Sequence, residues 1–509
     1  MRWLAPLYAL LRYPYRRILG LQKDAWTPQR RWYAYLLEKG ATTIYGKAIG
    51  LRAELPYEIF RQKVPVQPYE ALYPWIERTL RGERDILWTG RVKWFARSSG
   101  TTNDRSKYIP ITTESLRYNH FRASRDLFAT YLTLYADKTH LLEGRIISIG
   151  GSHQVSHLGS HARYGDLSAV LLSNMPAFYR LFRAPALEIA LIPSWEEKLP
   201  RMAEALLRQR RAIVGLAGVP TWSVLLFDEL LRRMGAKTML EVFPRFEAVF
   251  HGAVSFTPYE MLFAQYFPSE QVRYMEIYNA SEGFFAFQDT PNSRDLLLMA
   301  DHGVFYEFIP FSAWEAGRWD AVPLEGVQVG ETYALVVTSV GGLWRYLVGD
   351  TVRFVSLQPP RLRIVGRTRH YINAFGEEVM IEQAEAALEA ACRATAAQVR
   401  DYTVAPIYLG AGQRGAHEWL IEFIQPPQNL EEFTRLLDET LRQLNSDYDA
   451  KREGDLALGP PKIVCLPPET FYRWLKSKGR LGGQNKVPRL STERTYVEEI
   501  LAMVGAAAD

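Results

Sequence analysis

The order of apolar and polar positions divides most of the chain into short strand-like runs separated by helical patterns. Two segments, 201–213 and 224–234, place apolar residues at three- and four-residue intervals, as in an amphipathic helix. Because strand-like and helical segments alternate, we predict an α/β architecture with largely parallel sheets, whose ligands bind at the carboxyl ends of the strands. The apolar runs that predict strands are RIISIG (145–150), EAVFHG (247–252), RYMEIYNA (273–280) and YALVVTSV (333–340).

The pattern changes after Gln358-Pro359-Pro360. Strand-like runs and helical patterns continue beyond these prolines, and the remaining chain is long enough for a separate small domain. We predict a large N-terminal α/β domain of residues 1–365, with mixed or parallel sheets flanked by helices, and a small mobile α+β C-terminal domain of residues 366–509. The elements predicted after the prolines are the strands 361–366 and 418–424 and the helices 380–396 and 430–444.

Composition narrows the possible partners and surroundings. With 509 residues, of which 48% are hydrophobic, the chain is long enough for a large core. The 61 basic residues nearly balance the 56 acidic ones, so we expect no nucleic-acid partner, because such binders need a concentrated basic face. Cys392 and Cys465 stand in unrelated contexts, which predicts a reducing, cytoplasmic environment. The sequence also contains no run of about 20 apolar residues that would predict a membrane span.

The segment RSSGTTNDRSKYIP, residues 97–110, has almost no apolar surface to bury. It combines a glycine-containing backbone with several hydroxyls and, five residues after the last threonine, Lys107. Backbone N–H groups of such a turn converge on phosphate oxygens, and hydroxyls with an ammonium complete a phosphate-binding cradle. The alternative, on these residues alone, is a solvated Ser/Thr/Gly linker.

Two motifs at predicted strand ends carry residues that suit a nucleotide. In YNASEGFFAF (278–287), Tyr278 can stack on a purine and Glu282 can hold Mg²⁺ on the phosphates. Tyr278 would equally serve as a core residue. In WRYLVGDTVRF (344–354), Asp350 follows a glycine and suits a turn, and a carboxylate there can also bind both hydroxyls of a ribose.

Two motifs frame the predicted small domain. GRTRHYINAFGEE opens it at Gly366 with an arginine-rich turn, and GRLGGQNKVPRL (479–490) places Lys486 after a glycine-rich loop. A lysine on a flexible loop can deliver a cation to a reacting phosphate. The alternative for Lys486 is an ordinary surface lysine.

The order of these five motifs resembles the adenylate-forming superfamily of acyl-CoA synthetases, peptide-synthetase adenylation domains and luciferases. Within that superfamily, SSGTT…KYIP, YNASEG, AGVPTW (217–222) and NKVPR are similar to the Gretchen Hagen family of auxin-responsive-promoter proteins, which are acyl-acid amido synthetases. The resemblance spans residues 90–490, nearly the whole chain. It implies a ligase that uses ATP and Mg²⁺.

The resemblance also implies roles for individual residues. Tyr278 would lie against adenine, Glu282 would hold Mg²⁺, Asp350 would bind the ribose, and Lys486 would serve the adenylation step. Arg367 would support the ribose or a phosphate. The other implied nucleotide-binding residues are Ser98, Ser99, Gly100, Thr101, Thr102 and Lys107 in the phosphate loop, His251, Gly252 and Ala253 beside adenine, and Ala280 and Ser281 lining the nucleotide.

Two positions depart from the pattern of the relatives. Asp104 stands where relatives usually have a glycine in the phosphate loop, and Arg369 occupies the hinge position that Asp or Lys holds in many of them. Asp tolerates the left-handed backbone conformation better than most residues, but its charge would repel a triphosphate.

The implied reaction has two steps. The carboxylate of a small acid attacks the α-phosphate of ATP, and the amine of an amino acid, or another amine, then attacks the acyl carbon and expels AMP. Lys486 would have to leave the site between the steps, which is why its domain is expected to swivel. Two alternatives stay open: coenzyme A as the acceptor, and a nucleotide-binding protein without catalysis.

The acid pocket is expected to draw on residues 148–160 and 217–222. Trp222 and the histidines of this region suggest an aromatic or fatty acid. His153, His157 and His161 recur at helical spacing, but Gly159 and Ser160 interrupt a helix there. We therefore expect no metal at these histidines.

Overall fold

Most strands of the chain belong to one large mixed sheet. The computed structural model describes residues 10–98, 107–136, 138–149, 156–158, 161–192, 194–254, 256, 259–368, 371–409, 414–455, 457–478 and 488–505. Within these ranges, twelve strands form the large sheet, and further sheets have four, three and two strands. The strands are β1 (Trp94–Ser98), β2 (Lys107–Ile111), β3 (Arg145–Ser148), β4 (Ser156–Leu158), β5 (Ala162–Gly165), β6 (Arg183–Ala184), β7 (Ile213–Gly218), β8 (Ala248–Gly252), β9 (Arg273–Ala280), β10 (Gly283–Gln288), β11 (Leu296–Leu298), β12 (Val304–Pro310), β13 (Val322–Pro323), β14 (Thr332–Ser339), β15 (Tyr346–Leu357), β16 (Pro360–Arg367), β17 (Tyr371–Ile372), β18 (Val379–Met380), β19 (Gln398–Ile407), β20 (Ala416–Gln425) and β21 (Lys462–Leu466).

Helices cover the sheets, and the longer ones bury an apolar stripe against them. A π-helical turn, Ser115–His120, leads into the long helix α6. The helices are α1 (Tyr15–Lys23), α2 (Trp26–Gly40), α3 (Ile44–Ala48), α4 (Tyr57–Lys63), α5 (Tyr69–Leu80), α6 (Phe121–Leu134), α7 (Leu167–Ser173), α8 (Ala177–Arg180), α9 (Leu187–Ala190), α10 (Trp195–Arg208), α11 (Pro220–Met234), α12 (Met239–Val242), α13 (Glu260–Tyr266), α14 (Phe311–Glu315), α15 (Ile381–Thr395), α16 (Leu430–Leu444), α17 (Ser446–Arg452), α18 (Thr470–Ser477) and α19 (Thr495–Gly505). None of the helices in the described ranges is both long and apolar enough to cross a bilayer.

The large sheet is parallel at one end and antiparallel at the other. Strands β6, β3, β7, β8 and β9 run parallel, because helices connect them as crossovers. From β9 onward the chain forms hairpins, so β14, the predicted strand 333–340, pairs antiparallel with β12 and β15. The prediction of a mixed α/β fold is confirmed, while the largely parallel arrangement holds only for the first part.

One predicted helix ends earlier than expected. The helix assigned to 201–213 is α10, which ends at Arg208. Ile213 and Val214 begin strand β7 instead, and both side chains are fully buried. A short, continuous apolar run of this kind fits a buried strand as well as a helix end, so periodicity could not separate them.

The strand pairing changes after β16, which ends at Arg367. Strand β16 still pairs with β15 and β11, whereas the later strands β19, β20 and β21 form their own sheet. The C-terminal elements pack on the large part. The Tyr259 hydroxyl donates to the Ala374 carbonyl oxygen at 2.9 Å, and the Lys451 ammonium lies 4.7 Å from the ring centre of Trp222.

Candidate active site

Strands β1 and β2 hold the two ends of the predicted phosphate loop side by side. Ser98 and Lys107 are paired opposite each other. The Tyr108 N–H donates to the Tyr69 hydroxyl at 2.8 Å, and the Lys107 ammonium lies 5.9 Å from the centre of the Tyr69 ring. Helix α5, which begins with this tyrosine, therefore fixes the second strand of the hairpin. The predicted residues Ser99, Gly100, Thr101 and Thr102, with Asp104, lie outside the described residues.

Strand β8 ends in a tight turn at the carboxyl edge of the parallel sheet. Gly252 pairs with Ile277 of β9, and a β-carbon at this glycine would meet the Ile277 carbonyl oxygen at 2.3 Å. Ala253 then takes a left-handed backbone conformation with φ of 71°. The buried His251 ring stacks on Phe256 at 4.0 Å, and burial lowers its pKa to about 3. This segment thus presents a neutral ring and a sharply turned backbone at the strand end.

Strand β9 brings Tyr278 to Asp350. The Tyr278 hydroxyl donates to Asp350 Oδ2 at 2.6 Å, and both side chains are buried. The Tyr278 ring also packs edge-on against Phe285, with centroids 5.1 Å apart. The residue is therefore part of the core and a partner of the predicted ribose-binding carboxylate at the same time.

Glu282 lies in the turn that joins β9 to β10. Its Oε1 accepts a hydrogen bond from the Tyr346 hydroxyl at 3.2 Å, and the residue is half-buried. Ala280 and Ser281, which precede it, are also half-buried. Tyr346 is fully buried, and burial with the adjacent carboxylate raises its pKa, which keeps the phenol protonated as a donor. The carboxylate predicted to hold Mg²⁺ is therefore oriented by a neutral, fixed group.

Strand β15 carries both Tyr346, the partner of Glu282, and Asp350, the partner of Tyr278, four residues apart. A buried ion pair of Arg345, the residue before this strand, fixes where the strand starts. The Arg345 Nε lies 3.1 and 3.0 Å from the two carboxylate oxygens of Glu307. Its Nη1 donates to the carbonyl oxygens of Arg61 and Val64 at 3.0 and 2.7 Å. Removing one partner of such a pair leaves a buried charge uncompensated, at a cost of about 3–5 kcal/mol. The position of Tyr346 and Asp350 is thereby set by a rigid anchor.

The predicted hinge begins next to Asp350. Arg367, whose backbone ends β16, is paired with Asp350. The Thr368 N–H donates to the Gly349 carbonyl oxygen at 2.8 Å, and Gly349 has φ of 98°, a conformation that favours glycine. Arg369, the hinge residue expected from the resemblance, lies outside the described residues. The predicted ribose site and the start of the small domain are therefore adjacent along one strand pair.

The segment after Lys486 is tied to the C-terminal sheet. Lys486 itself lies outside the described residues. Two residues later, the Pro488 carbonyl oxygen accepts a hydrogen bond from the Thr403 hydroxyl at 2.6 Å, and the Val404 N–H donates to the Arg489 carbonyl oxygen at 2.9 Å. The loop that carries the lysine is thus anchored to β19 at its far end.

A support beneath the site was not predicted from the sequence. Asn119, in the π-helical turn, accepts from the Phe284 N–H at 2.6 Å and donates to the Phe284 and His302 carbonyl oxygens. The neighbouring His120 is buried, and burial lowers its pKa to about 4. Asn119 therefore holds the start of β10 and so the turn at Glu282. The sequence signal is slight: a polar Asn-His pair within an apolar helical pattern.

The residues expected to form the acid pocket do not all lie around one cavity in the structure. Ser148, Ile149 and Ala217 line a cavity of about 260 Å³. Trp222 instead stacks on Trp195 at 3.9 Å, with the two rings nearly parallel. It packs towards the C-terminal elements and does not line this cavity.

The three histidines do not share a helix. His157 lies on strand β4 and is exposed, as is His161, and His153 is outside the described residues. Among the side chains that the structure describes, no group of three His, Cys, Asp or Glu residues could hold a metal ion.

The fold is shared with solved adenylate-forming enzymes. The structure of "GH3.15 acyl acid amido synthetase" superposes with a TM-score of 0.62 at 18% identity, covering 97% of this chain and 95% of that one. A 2-hydroxyisobutyryl-CoA ligase in complex with 2-HIB-AMP and CoA superposes with a TM-score of 0.55 at 13% identity, covering 94% and 92% of the two chains. The architecture is therefore that of the adenylate-forming ligases.

Sequence comparison identifies the family within this class. Residues 15–272, 297–367 and 382–495 match the N-terminal, central and C-terminal domains of the GH3 family. An indole-3-acetic acid-amido synthetase of Oryza sativa subsp. indica is 25% identical, over 92% of this chain and 89% of its own length. A jasmonoyl–L-amino acid synthetase of Nicotiana attenuata is 21% identical, over 92% of each. The chain belongs to the GH3 family, which confirms the predicted resemblance.

Proposed function

We propose that this protein is an acyl acid amido synthetase that activates a carboxylic acid with ATP and transfers the acyl group to the amine of an amino acid. The curated relatives that match over nearly the whole chain are amido synthetases. The structural observation behind the proposal is that one strand, β15, connects the two carboxylates predicted to bind the nucleotide and its metal ion. Asp350 and the partner of Glu282, Tyr346, both stand on β15.

In the first step, a carboxylate oxygen of the acid attacks the α-phosphorus of ATP, and the bond to the bridging oxygen of pyrophosphate breaks. Tyr278 would lie against adenine, while Asp350, fixed by its hydrogen bond to Tyr278, would accept hydrogen bonds from the ribose hydroxyls. Lys486 would supply positive charge to the α-phosphoryl oxygens, where negative charge builds up. The loop between Ser98 and Lys107 would enclose the departing pyrophosphate.

In the second step, the amine attacks the acyl carbon, AMP leaves, and the nitrogen loses a proton. The amine must reach the face of the adenylate that the lysine occupied. Movement of residues 366–509 between the steps would clear that face. At the start of this segment, Arg367 is the strand partner of Asp350 and the Thr368 N–H donates to the Gly349 carbonyl oxygen, so the movement would begin beside the ribose.

The residues present fit a magnesium ion. Mg²⁺ commonly binds through one or two protein carboxylates together with substrate phosphates. Glu282 offers one such carboxylate, half-buried and oriented by Tyr346, and the predicted phosphate loop would bring the phosphates. The ion would neutralise phosphate charge. We also propose a cytoplasmic location, where ATP is available and the two free cysteines stay reduced.

The test is exchange of radiolabelled pyrophosphate into ATP with a panel of carboxylic acids, followed by mass spectrometry of products formed with amino acids or coenzyme A. We expect acid-dependent exchange and an amide product. A thioester as the sole product would overturn the amine acceptor and favour a CoA ligase. ATP binding without exchange for any acid would favour a nucleotide-binding protein without catalysis.

A further inference from the structure

A buried hydrogen bond joins the large part of the protein to the C-terminal elements. The Tyr259 hydroxyl donates to the Ala374 carbonyl oxygen at 2.9 Å, and both residues are buried. The Tyr259 ring also packs edge-on against Tyr408, with ring centroids 5.9 Å apart. Ala374 and Tyr408 belong to residues 366–509, which are proposed to move between the half-reactions, and Tyr259 does not. The bond therefore marks one arrangement of the two parts, which we call the docked arrangement.

On the large part, the donor follows closely on the predicted adenine segment, His251 to Ala253 at the end of β8. The His251 ring stacks on Phe256 at 4.0 Å between centroids. The Phe256 carbonyl oxygen in turn accepts a hydrogen bond from the Tyr259 N–H at 2.8 Å, and Tyr259 is the N-cap of helix α13. The position of its hydroxyl therefore depends on the same turn of backbone that a nucleotide would contact.

On the C-terminal side, the acceptor lies in a loop that a buried carboxylate holds. Glu377 accepts hydrogen bonds from the Ala374 N–H at 3.0 Å and the Phe375 N–H at 2.6 Å. His417 Nε2 lies 2.8 Å from Glu377 Oε1, and both of these side chains are buried. The direction of the Ala374 carbonyl is thus fixed within the C-terminal elements. Because a hydrogen bond needs close alignment of donor and acceptor, the bond to Tyr259 depends on how these elements are oriented.

The energetic cost of losing this donor falls on the docked arrangement alone. There the Ala374 carbonyl is buried, so without the phenol it would have neither a protein donor nor water. In an undocked arrangement the same carbonyl would be open to water and would lose nothing. Removing the phenol should therefore lower the ratio of docked to undocked protein by about tenfold to a hundredfold. Other contacts, such as that of Lys451 with Trp222, would remain, so docking would be weakened and not abolished.

We propose that Tyr259 is a positioning residue that couples the nucleotide site to the docking of residues 366–509, through its hydrogen bond to Ala374. It would thereby support the one half-reaction that the docked arrangement performs. This inference rests on the proposed function, because it assumes movement between the half-reactions. If a nucleotide at the strand end favours the docked position of Tyr259, docking must by linkage strengthen nucleotide binding by the same factor.

The first test separates the two half-reactions in Tyr259→Phe. The matched control is Tyr266→Phe, which removes another buried phenol donor, one that bonds to Asp228 inside the large part. Pyrophosphate exchange and acyl transfer from a supplied adenylate are measured separately, together with the melting temperature. We expect Tyr259→Phe to lower one half-reaction by about tenfold or more and to leave the other nearly unchanged. Tyr266→Phe should lower the melting temperature but keep the ratio of the two half-reactions.

The second test measures docking directly, by the distance between two spin labels. One label is attached to Cys465, which is exposed, and the other to a cysteine introduced by Lys237→Cys at an exposed position of the large part. Cys392→Ala removes the remaining thiol. We expect AMP to increase the docked fraction in this labelled parent protein and in its Tyr266→Phe variant. In Tyr259→Phe the same concentration of bound AMP should produce a much smaller increase.

Three results would overturn the coupling: an equal fall of both half-reactions in Tyr259→Phe, an AMP response in that variant equal to that of the parent, or no response to AMP in the parent. Acid-dependent exchange by the wild type would uphold the proposed function in each of these cases. Conversely, an AMP response that depends on Tyr259, in a protein that shows no exchange with any acid, would uphold the coupling and overturn the proposed function.

Discussion

The Tyr278 hydroxyl donates a 2.6 Å hydrogen bond to Asp350 Oδ2, across a sequence separation of 72 residues. Both side chains are buried, and they stand on strands that are not neighbours in the sheet. The residue predicted to stack on adenine therefore positions the residue predicted to bind ribose. A substitution at either residue should therefore alter the position of the other.

Replacing Asp350 or Tyr278 should weaken ATP binding selectively. Asp350→Ala is expected to raise the KM for ATP far more than the KM for the acid. Tyr278→Phe, which keeps the ring but loses the hydrogen bond, should raise the KM for ATP less, by about tenfold. The control is Tyr274→Phe, which removes a phenol from the same strand without touching the carboxylate. The KM for ATP and the KM for the acid are measured by steady-state kinetics, with each substrate varied in turn. If Asp350→Ala raised both KM values equally, Asp350 would have only a structural role.

Removing the ammonium of Lys486 should abolish adenylation and leave the fold intact. We expect Lys486→Ala to lower kcat for pyrophosphate exchange by about 10²-fold or more, because the lysine stabilises charge in the transition state and contributes little packing. ATP binding and the melting temperature should change little. Lys476→Ala, at an exposed position of helix α18, serves as the control. Normal exchange in Lys486→Ala would refute its role.

A proline at position 368 should separate the two half-reactions. Thr368→Pro fixes φ near −65°, restricts Arg367 and removes the hydrogen bond from the Thr368 N–H to Gly349. We expect overall turnover to collapse while pyrophosphate exchange or acyl transfer from a supplied adenylate persists in part. Thr368→Ala, which keeps the N–H, should retain both. If the proline variant lost both half-reactions in parallel at unchanged thermal stability, the swivel would be wrong and the small domain would be a static lid.

The buried His251 should make the protein less stable in acid. Burial lowers its pKa to about 3, whereas in the unfolded chain it titrates near 6.5. Between these values the unfolded state binds a proton and the folded state does not, so the free energy of unfolding falls as the pH falls. The expected contribution is about 1.4 kcal/mol per pH unit within that window, and none above it.

Urea denaturation at several pH values measures this dependence. His251→Phe keeps a ring stacked on Phe256 and removes the titrating group, so the slope below pH 6.5 should become shallower. His161→Gln, at an exposed position, is the control and should keep the slope of the wild type. An unchanged slope in His251→Phe would contradict the assignment of a neutral buried imidazole.

Several elements follow from the sequence with little ambiguity. The apolar residues at helical spacing from Leu430 to Leu444 predicted a helix, which spans Leu430–Leu444, and β9 matches the predicted strand 273–280. In both, local periodicity and tertiary burial favour the same conformation, so the pattern is sufficient. Strand β7 was missed because its apolar run is short and follows a helix directly. A mixed sheet was predicted, but not which strands run antiparallel, since strand direction depends on connections and not on composition.

For the site, the sequence by itself predicted which residues would carry the chemistry and in what order, because motifs such as YNASEG and NKVPR are short continuous stretches of sequence. Only the tertiary structure decided how they meet. The contact of Tyr278 with Asp350, the orientation of Glu282 by Tyr346, and the support from Asn119 all join residues far apart in the chain. Local patterns fix local conformation, whereas long-range contacts depend on how the strands are ordered in the sheet.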